Sequence, residues 1–377
     1  MLRVVGKPST SFETVIGEVT TRRVPFYDRH DKVLLTDSID MGCTGYLAVL
    51  SSAPPENKFF LPHTVGEICN DDMNLFKQGD IVSVSGTGEV LVLWENDSQQ
   101  NSLMLTEACN CRCLMCPQPP RKHAPALFDA AVRILDLLKG KHVANICITG
   151  GEPTIVAENF LKILHRCHAE HPRAHVSILT NAKRFSDAAF SREVARLSQG
   201  NDIFCVSLHS DIPEIHDDIV GIHGSYCKTQ DGIYNISKHR IPTEIRHVVT
   251  RRNYARLPEF AEHMYRYFPF CVHYALMTME ICGIANDNME SIYIDPFNYK
   301  SELRKSTLAL HKRGMRVSVY NTPLCLCHED IRSFSRKSIS SWKNYFIDEC
   351  STCKERDECC GFFSTSSVQS SHISAIN

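Results

Sequence analysis

Four cysteines crowd into residues 109–116 of the stretch LTEACNCRCLMCPQPP. The spacing Cys109-x3-Cys113-x2-Cys116 places three thiolates on one short loop. Three thiolates can bind three irons of a cubane [4Fe–4S] cluster and leave the fourth iron without a protein ligand. That open iron can take a small molecule, so the pattern suits a reactive centre rather than a sealed one. A structural zinc site asks for a fourth protein ligand and usually paired C-x2-C spacing, and no such partner stands nearby in the sequence. Cys111 falls outside the spacing and reads as a bystander.

A second group lies at Cys350-x2-Cys353-x5-Cys359, with Cys325 as the expected fourth ligand and Cys327 and Cys360 as alternatives. Spacing admits two chemistries here: a second, auxiliary [4Fe–4S] cluster, or a structural zinc held by four thiolates. The chain has 18 cysteines in all, far above ordinary usage for a chain without an export signal. Metal ligation is therefore the stronger reading and a disulfide framework the weaker one. Cys147, Cys205 and Cys271 sit in apolar runs and read as small buried hydrophobes.

Further polar residues cluster where apolar runs end. NICITGGEPT ends in Gly150, Gly151 and Glu152, and two glycines let backbone approach a ligand that a Cβ would block. HVSILTNAK ends in Thr180 and Asn181. CVSLHSD carries Ser207 and His209, and IRHVVTRRN carries Arg246. As isolated features these are an ordinary strand-to-helix turn, a polar cap, one of 18 histidines and a surface arginine.

The elements that must position these residues follow from periodicity. Residues 1–100 read as a small β-rich domain, in which DIVSVS and EVLVLWE joined by Gly-Thr-Gly form a hairpin. The polar stretch NDSQQNS at 96–102 is the expected boundary. From Leu103 short apolar runs alternate with helices expected at 124–139, 155–169, 186–198, 226–238, 257–267 and 296–313. That rhythm predicts βα repeats around a parallel sheet, an α/β fold forming a partial or full (β/α) barrel over 101–321. Active residues of such barrels stand at the C-terminal ends of the strands. Residues 322–363 form a Cys-rich extension, and the Ser-rich tail 364–377 is expected to be disordered.

At 377 residues and 43% hydrophobic the chain can bury a substantial core. Its formal charge of −2 lacks the basic footprint of a nucleic-acid binder. No apolar run is long enough to span a membrane, and the N-terminus lacks a signal-peptide core, so a cytoplasmic protein with no membrane partner is expected.

Taken together, Cys109-x3-Cys113-x2-Cys116 after a first strand, GGEPT after the second and TNA after the third resemble the radical S-adenosylmethionine (SAM) superfamily. The resemblance implies that Cys109, Cys113 and Cys116 hold a [4Fe–4S] cluster whose open iron binds the amino and carboxylate groups of SAM. It implies that an electron from the cluster cleaves SAM to a 5′-deoxyadenosyl radical that abstracts a substrate hydrogen. It further implies cofactor contacts from Gly150, Gly151 and Glu152, from Asn181 to the ribose, from Ser207, and from Arg246 on the adenine side. His209 is the candidate to handle a proton or touch substrate. The spacing of the second group resembles the auxiliary-cluster regions of peptide-modifying members, which favours Fe–S over zinc for Cys325, Cys350, Cys353 and Cys359.

LMCPQPP and the block ISSWKNYF with C-x2-C-x5-C and a following GFF resemble one group more narrowly, the His-Xaa-Ser system maturases called HxsC. That group has Cys-Gly-Gly-Phe-Phe where this chain has Cys359-Cys360-Gly361. The likeness implies a precursor peptide with His-Xaa-Ser repeats as substrate, a second radical SAM maturase and a small accessory protein as partners, and an external electron donor. Two other readings stand beside it: a radical SAM enzyme acting on RNA or a small molecule, and a non-catalytic zinc scaffold.

Overall fold

Alternation in the first hundred residues produces a sheet of eight strands in the computed structural model, which describes residues 2–55, 62–122 and 124–377. Residues 56–61 of the expected β-rich region lie outside the described residues. Contacts divide the chain into two units. The first comprises Met1–Leu103, Pro125–Cys147 and Arg166–Ala174; the second comprises Met104–Ala124, Ile148–His165 and His175–Asn377.

In the first unit the strands run in the order Arg3–Val5, Glu89–Trp94, Ile81–Val84, Val15–Thr20, Lys32–Thr36, Ala48–Ser51, His63–Gly66, Lys7–Pro8. The expected hairpin is present: Ile81–Val84 pairs antiparallel with Glu89–Trp94, Val84 opposite Val90. Gly88 takes a positive φ of 87° in its turn, a conformation that suits a residue without a Cβ. Val19, Val33, Leu50, Val65, Val82 and Val90 are buried on one shared core. Val92 alternates with half-buried neighbours as period two requires. Helix α1 (Pro125–Leu138) belongs to this unit. Its Arg133 bonds the Ile16 carbonyl and pairs with Asp31, and Lys141 beyond its end pairs with Glu18 at 2.8 Å.

The second sheet follows chain order in space: β1 (Ser102–Met104), β2 (Asn145–Thr149), β3 (His175–Thr180), β4 (Ile203–Ser207), β5 (Thr243–Val249), β6 (His273–Thr278), β7 (Val317–Tyr320) and β8 (Ser335–Arg336). Each neighbouring pair from β3 to β8 is parallel. Among the described residues β1 and β8 form open edges, so the barrel is partial. The crossovers are α2 (Ala157–Glu170), α3 (Ala188–Leu197), α4 (Pro213–Val220), α5 (Ser225–Lys238), α6 (Leu257–Tyr267) and α7 (Pro296–Lys312). Of these, α4 is absent from the expected helices. It is eight residues long, with Pro213 at its first turn and Gly221 closing it at φ 67°. That is too short for a periodic signal, yet its end signals are sound.

Residues 322–363 contain short 3₁₀ turns and one small antiparallel pair, Asn344–Tyr345 with Phe362–Phe363. The tail departs from the expectation of disorder. It has no helix or strand, but Ser367 donates its N–H to the Ile281 carbonyl at 3.1 Å. Ser366 Oγ accepts from the Ile281 N–H at 2.9 Å. His372 stacks on Phe297 with ring centres 4.0 Å apart. Serine hydroxyls supply the bonds that an apolar face would otherwise have to replace, which is why composition misjudged this segment. No helix among the described residues is long and apolar enough to cross a membrane.

Candidate iron–sulfur and cofactor site

The cysteine loop begins where β1 ends, and main-chain hydrogen bonds from three other segments hold it. Gly151 and Glu152, just past β2, donate their N–H groups to the Thr106 and Ala108 carbonyls at 2.7 and 2.9 Å. Arg112 and Leu114 donate theirs to the Val220 and Ile219 carbonyls at the end of α4, each at 2.9 Å. These carbonyls have no partner within the helix, so the loop satisfies them. Beyond β6, Ile284 donates to the Cys116 carbonyl at 2.9 Å.

The glycines are where they are because backbone runs against backbone. A Cβ on Gly150 would stand 2.6 Å from the Thr106 carbonyl oxygen, and one on Gly151 would stand 2.7 Å from that of Glu107. A Cβ on Gly221 would meet the Arg112 carbonyl oxygen at 2.7 Å. The sequence reading expected Gly150 and Gly151 to admit a ligand; their demonstrable close approach is to the cysteine loop itself.

Glu152 is 1% exposed and its carboxylate ties β2 to β3. One oxygen accepts from Thr154 N, Thr154 Oγ1 and Thr180 Oγ1 at 3.1, 2.6 and 2.8 Å, and the other from Asn181 N at 2.7 Å. Burial raises its pKa, against the pull of these donors. Asn181 extends the chain of contacts, its Nδ2 donating to Asn110 Oδ1 at 2.7 Å and to Cys111 Sγ at 3.5 Å. Its amide therefore braces the cysteine loop as well as facing the cavity. Ala182 follows at φ 58°, a left-handed conformation, and is fully buried. Lys183, buried beside it, donates Nζ to the Asn110 carbonyl at 2.7 Å. Sequence reasoning missed Lys183, although it stands next to the quoted Thr-Asn-Ala.

A cavity of about 380 Å³ opens above these strand ends. Cys109, Cys113, Cys116, Gly150, Gly151, Glu152, Asn181, Ser207 and His209 all line it. Arg246 does not. Its Nε bonds Glu244 Oε1 at 2.5 Å, and that carboxylate also holds His273 Nδ1 at 2.6 Å. Arg246 stands directly opposite Ser207 in register on the neighbouring strand, and its side chain joins this ion pair instead of lining the cavity.

Cys111 is drawn into the group rather than standing aside. It is buried and lines the cavity. Cys109 is pushed above the usual thiol range mainly by its bond to Cys111, with burial adding to it. Cys113 is raised by the same two causes. Cys111 is pushed down by those two neighbours and by Lys183. Burial raises Cys116. Among the described residues no three His, Cys, Asp or Glu side chains converge as a single metal ion requires. A cubane sets a different demand, one thiolate on each of three irons. Three thiols facing one cavity, with open volume where a fourth ligand would otherwise stand, fit that group and its small-molecule ligand.

Three histidines cluster beyond β4, and two of them, His209 and His216, line the cavity. His209 Nδ1 accepts the Val248 N–H at 3.4 Å, and His216 Nδ1 accepts the His209 N–H at 3.1 Å. Backbone donors thus place the ring proton on Nε2 in both. His247 Nδ1 faces the Leu208 carbonyl at 3.2 Å, so there the proton is on Nδ1. Burial lowers all three, His216 and His247 to about 4 and His209 well below its ordinary value, the last helped by the other two rings. His209 is therefore neutral at pH 7, with its ring N–H on Nε2. His216 also lines the cavity, a role its His-Asp-Asp context did not reveal.

The second set separates by burial. Cys325, Cys350, Cys353 and Cys359 are partly exposed, whereas Cys327 and Cys360 are buried. Cys325 feels the charges of Cys359 and Cys350, and Cys350 those of Cys359 and Cys353. Cys327 and Cys360 feel Cys359 as well, so all six thiols belong to one neighbourhood. Cys359 is lowered to about 6, chiefly by its bond from Cys360. None of the 18 cysteines is joined in a disulfide.

Residues 103–264 match the family model described as the Radical SAM superfamily. Among curated proteins, the chain is 30% identical over 155 residues to a probable GTP 3',8-cyclase of Thermococcus kodakarensis, covering 40% of this chain and 47% of that one. It is 32% identical over 168 residues to the mycofactocin maturase MftC of Mycobacterium tuberculosis, covering 43% and 41%. The chain thus spans less than half the length of these two relatives. Among solved structures, Streptococcus suis SuiB bound to S-adenosylmethionine is 17% identical, covers 58% of this chain and 49% of its own, and has a TM-score of 0.48. The anSMEcpe structure with bound AdoMet is 16% identical, covers 58% and 60%, and scores 0.45. These scores are too low to bear on function.

Two outcomes test this geometry. Gly151→Ala forces the cysteine loop away from β2, at a cost of about 1–3 kcal/mol; the variant should melt lower and take up less iron on anaerobic reconstitution, measured by calorimetry and iron assay. The buried histidines should make stability fall with acid. Their folded pKa values lie below the unfolded value, so the unfolded chain binds more protons between about pH 6.5 and 4 and stability drops across that window. His216 and His247 each supply up to about 3 kcal/mol of the loss, which a pH series of denaturant midpoints would read, with His247→Gln flattening the slope.

Proposed function

We propose that this chain is a radical SAM enzyme that modifies a peptide after translation, and that the peptide carries His-Xaa-Ser repeats. The observation that carries the enzyme class is the convergence of Cys109, Cys113 and Cys116 with the glycine turn, Asn181 and Ser207 on one cavity, within the segment that matches the superfamily. When bound, the cluster and SAM supply a carbon-centred radical that abstracts hydrogen, and the protein's part is position and shelter.

The residues divide that work. Cys109, Cys113 and Cys116 hold the cluster, and Cys111 with Lys183 and Asn181 keeps their loop in shape. Gly150, Gly151 and Ser207 border the space for SAM, with Glu152 bracing the turn from below. His209 and His216 present neutral N–H donors to whatever enters. Met277, Met279 and Phe363 line the same cavity and exclude water from it. Phe363 comes from the Cys-rich extension, so that segment helps to build the pocket. Cys325, Cys350, Cys353 and Cys359 hold a second [4Fe–4S] cluster, with zinc as the alternative occupant.

A peptide substrate is supported by the likeness to the mycofactocin maturase and by the size of the cavity. About 380 Å³ lies near the lower end for small-molecule sites. Once SAM occupies it, little room remains, which suits one side chain of a larger molecule. The narrower choice of His-Xaa-Ser repeats, with a second maturase, an accessory protein and an external electron donor, rests on the LMCPQPP and C-x2-C-x5-C blocks. Free thiols throughout suit a reducing cytoplasm. A second reading, a nucleotide substrate, is favoured by the likeness to the probable GTP cyclase.

One experiment separates these. Anaerobic reaction with SAM, a reductant and a His-Xaa-Ser precursor peptide should yield 5′-deoxyadenosine and a mass change in the peptide, and Cys113→Ala should yield neither. Turnover of GTP with the peptide untouched would establish the nucleotide reading instead.

A further inference from the structure

The tail segment lies against the second cysteine set through its main chain. Ile376 donates its N–H to Cys353 Sγ at 3.4 Å, and its carbonyl accepts the Lys354 N–H at 3.0 Å. Residues 353–354 and 376 therefore pair as a short two-bond ladder with a sulfur in place of one carbonyl oxygen. On the tail's path toward the set, the stacking of His372 on Phe297, with His372 Nδ1 facing Asp295 at 3.4 Å, fixes the approach. Elsewhere in the set, Leu324 donates its N–H to Cys359 Sγ at 3.4 Å. Two of the four sulfurs thus each receive a backbone N–H, one of them from the irregular tail.

We propose that Ile376 is a positioning residue for the second cluster, its backbone N–H bonding the ligand sulfur of Cys353 and raising the cluster's reduction potential. The inference rests on the reading that Cys325, Cys350, Cys353 and Cys359 hold a [4Fe–4S] cluster. The physical cause is simple electrostatics. One-electron reduction adds a negative charge that spreads over the sulfurs, and an N–H dipole pointing at a sulfur favours the more negative form. A tail expected to be disordered on composition is then held where it is by the metal site it serves.

Proline tests this directly, because it removes an N–H and leaves the carbonyl in place. Wild type, Ile376→Pro and Ile376→Ala are reconstituted anaerobically, their iron counted, and the second cluster titrated with dithionite while its spin-resonance signal is followed. A Cys113→Ala background silences the first cluster so that the signals do not overlap. The midpoint should move to more negative potential in Ile376→Pro and stay in place in Ile376→Ala, which keeps the N–H. Deletion of Ile376 and Asn377 removes the same donor and should shift it in the same direction, and it serves where Ile376→Pro assembles poorly. Equal midpoints in proline and alanine variants with full iron content overturn the inference alone. A wild-type chain holding only about four irons, or zinc at the second set, removes the cluster reading and this inference with it.

Discussion

The molecule turns on a main-chain cage around residues 106–116. Five backbone hydrogen bonds tie that loop to the turn after β2, to the end of α4 and to the segment after β6. Three thiols can face one cavity only if the chain carrying them cannot relax, and side-chain packing alone does not fix a loop so rich in small and polar residues. Backbone groups buried without partners are costly, so each element must arrive in register for the loop to form. The glycines at 150, 151 and 221 follow from this constraint, since each sits where two backbones pass closer than a Cβ permits. Glu152 adds the same lesson in a side chain: one buried carboxylate collects four donors from two strand ends.

The chemistry is arranged accordingly. Charged groups are few in the cavity wall, and the histidines near it are kept neutral by burial. An apolar wall with neutral donors suits radical chemistry, in which the protein must orient a reactive species and keep water away rather than move protons. Lys183 stands behind the loop, its ammonium bonded to the Asn110 carbonyl and near the Cys111 sulfur. It offsets part of the negative charge that four clustered thiols would carry.

Much of this was legible in the sequence because it depends on local pattern. C-x3-C-x2-C, Gly-Gly-Glu and Thr-Asn each mark a strand end, and strand ends of a parallel sheet gather on one side. The order of the strands and most helices followed from periodicity. What escaped depended on contacts across the chain. Arg246 looked available until β6 brought His273 and the Glu244 carboxylate closed on both. Cys111 looked idle because spacing says nothing of which sulfurs touch. Helix α4 was too short to show a period, and the tail's serines gave no hint of Ile281, Phe297 or Cys353. The pairing of Cys325 with the distant C-x2-C-x5-C set came from the loop that carries it, and Cys325 feels the charges of Cys359 and Cys350.

The most direct test of the central claim is the spin-resonance spectrum of the reduced, air-free protein before and after adding SAM. An iron left open by three cysteines has a vacant coordination site for the cofactor, so the account predicts a [4Fe–4S] signal whose line shape changes on addition. A signal that stays the same at saturating SAM, or a protein that holds zinc alone, would contradict it.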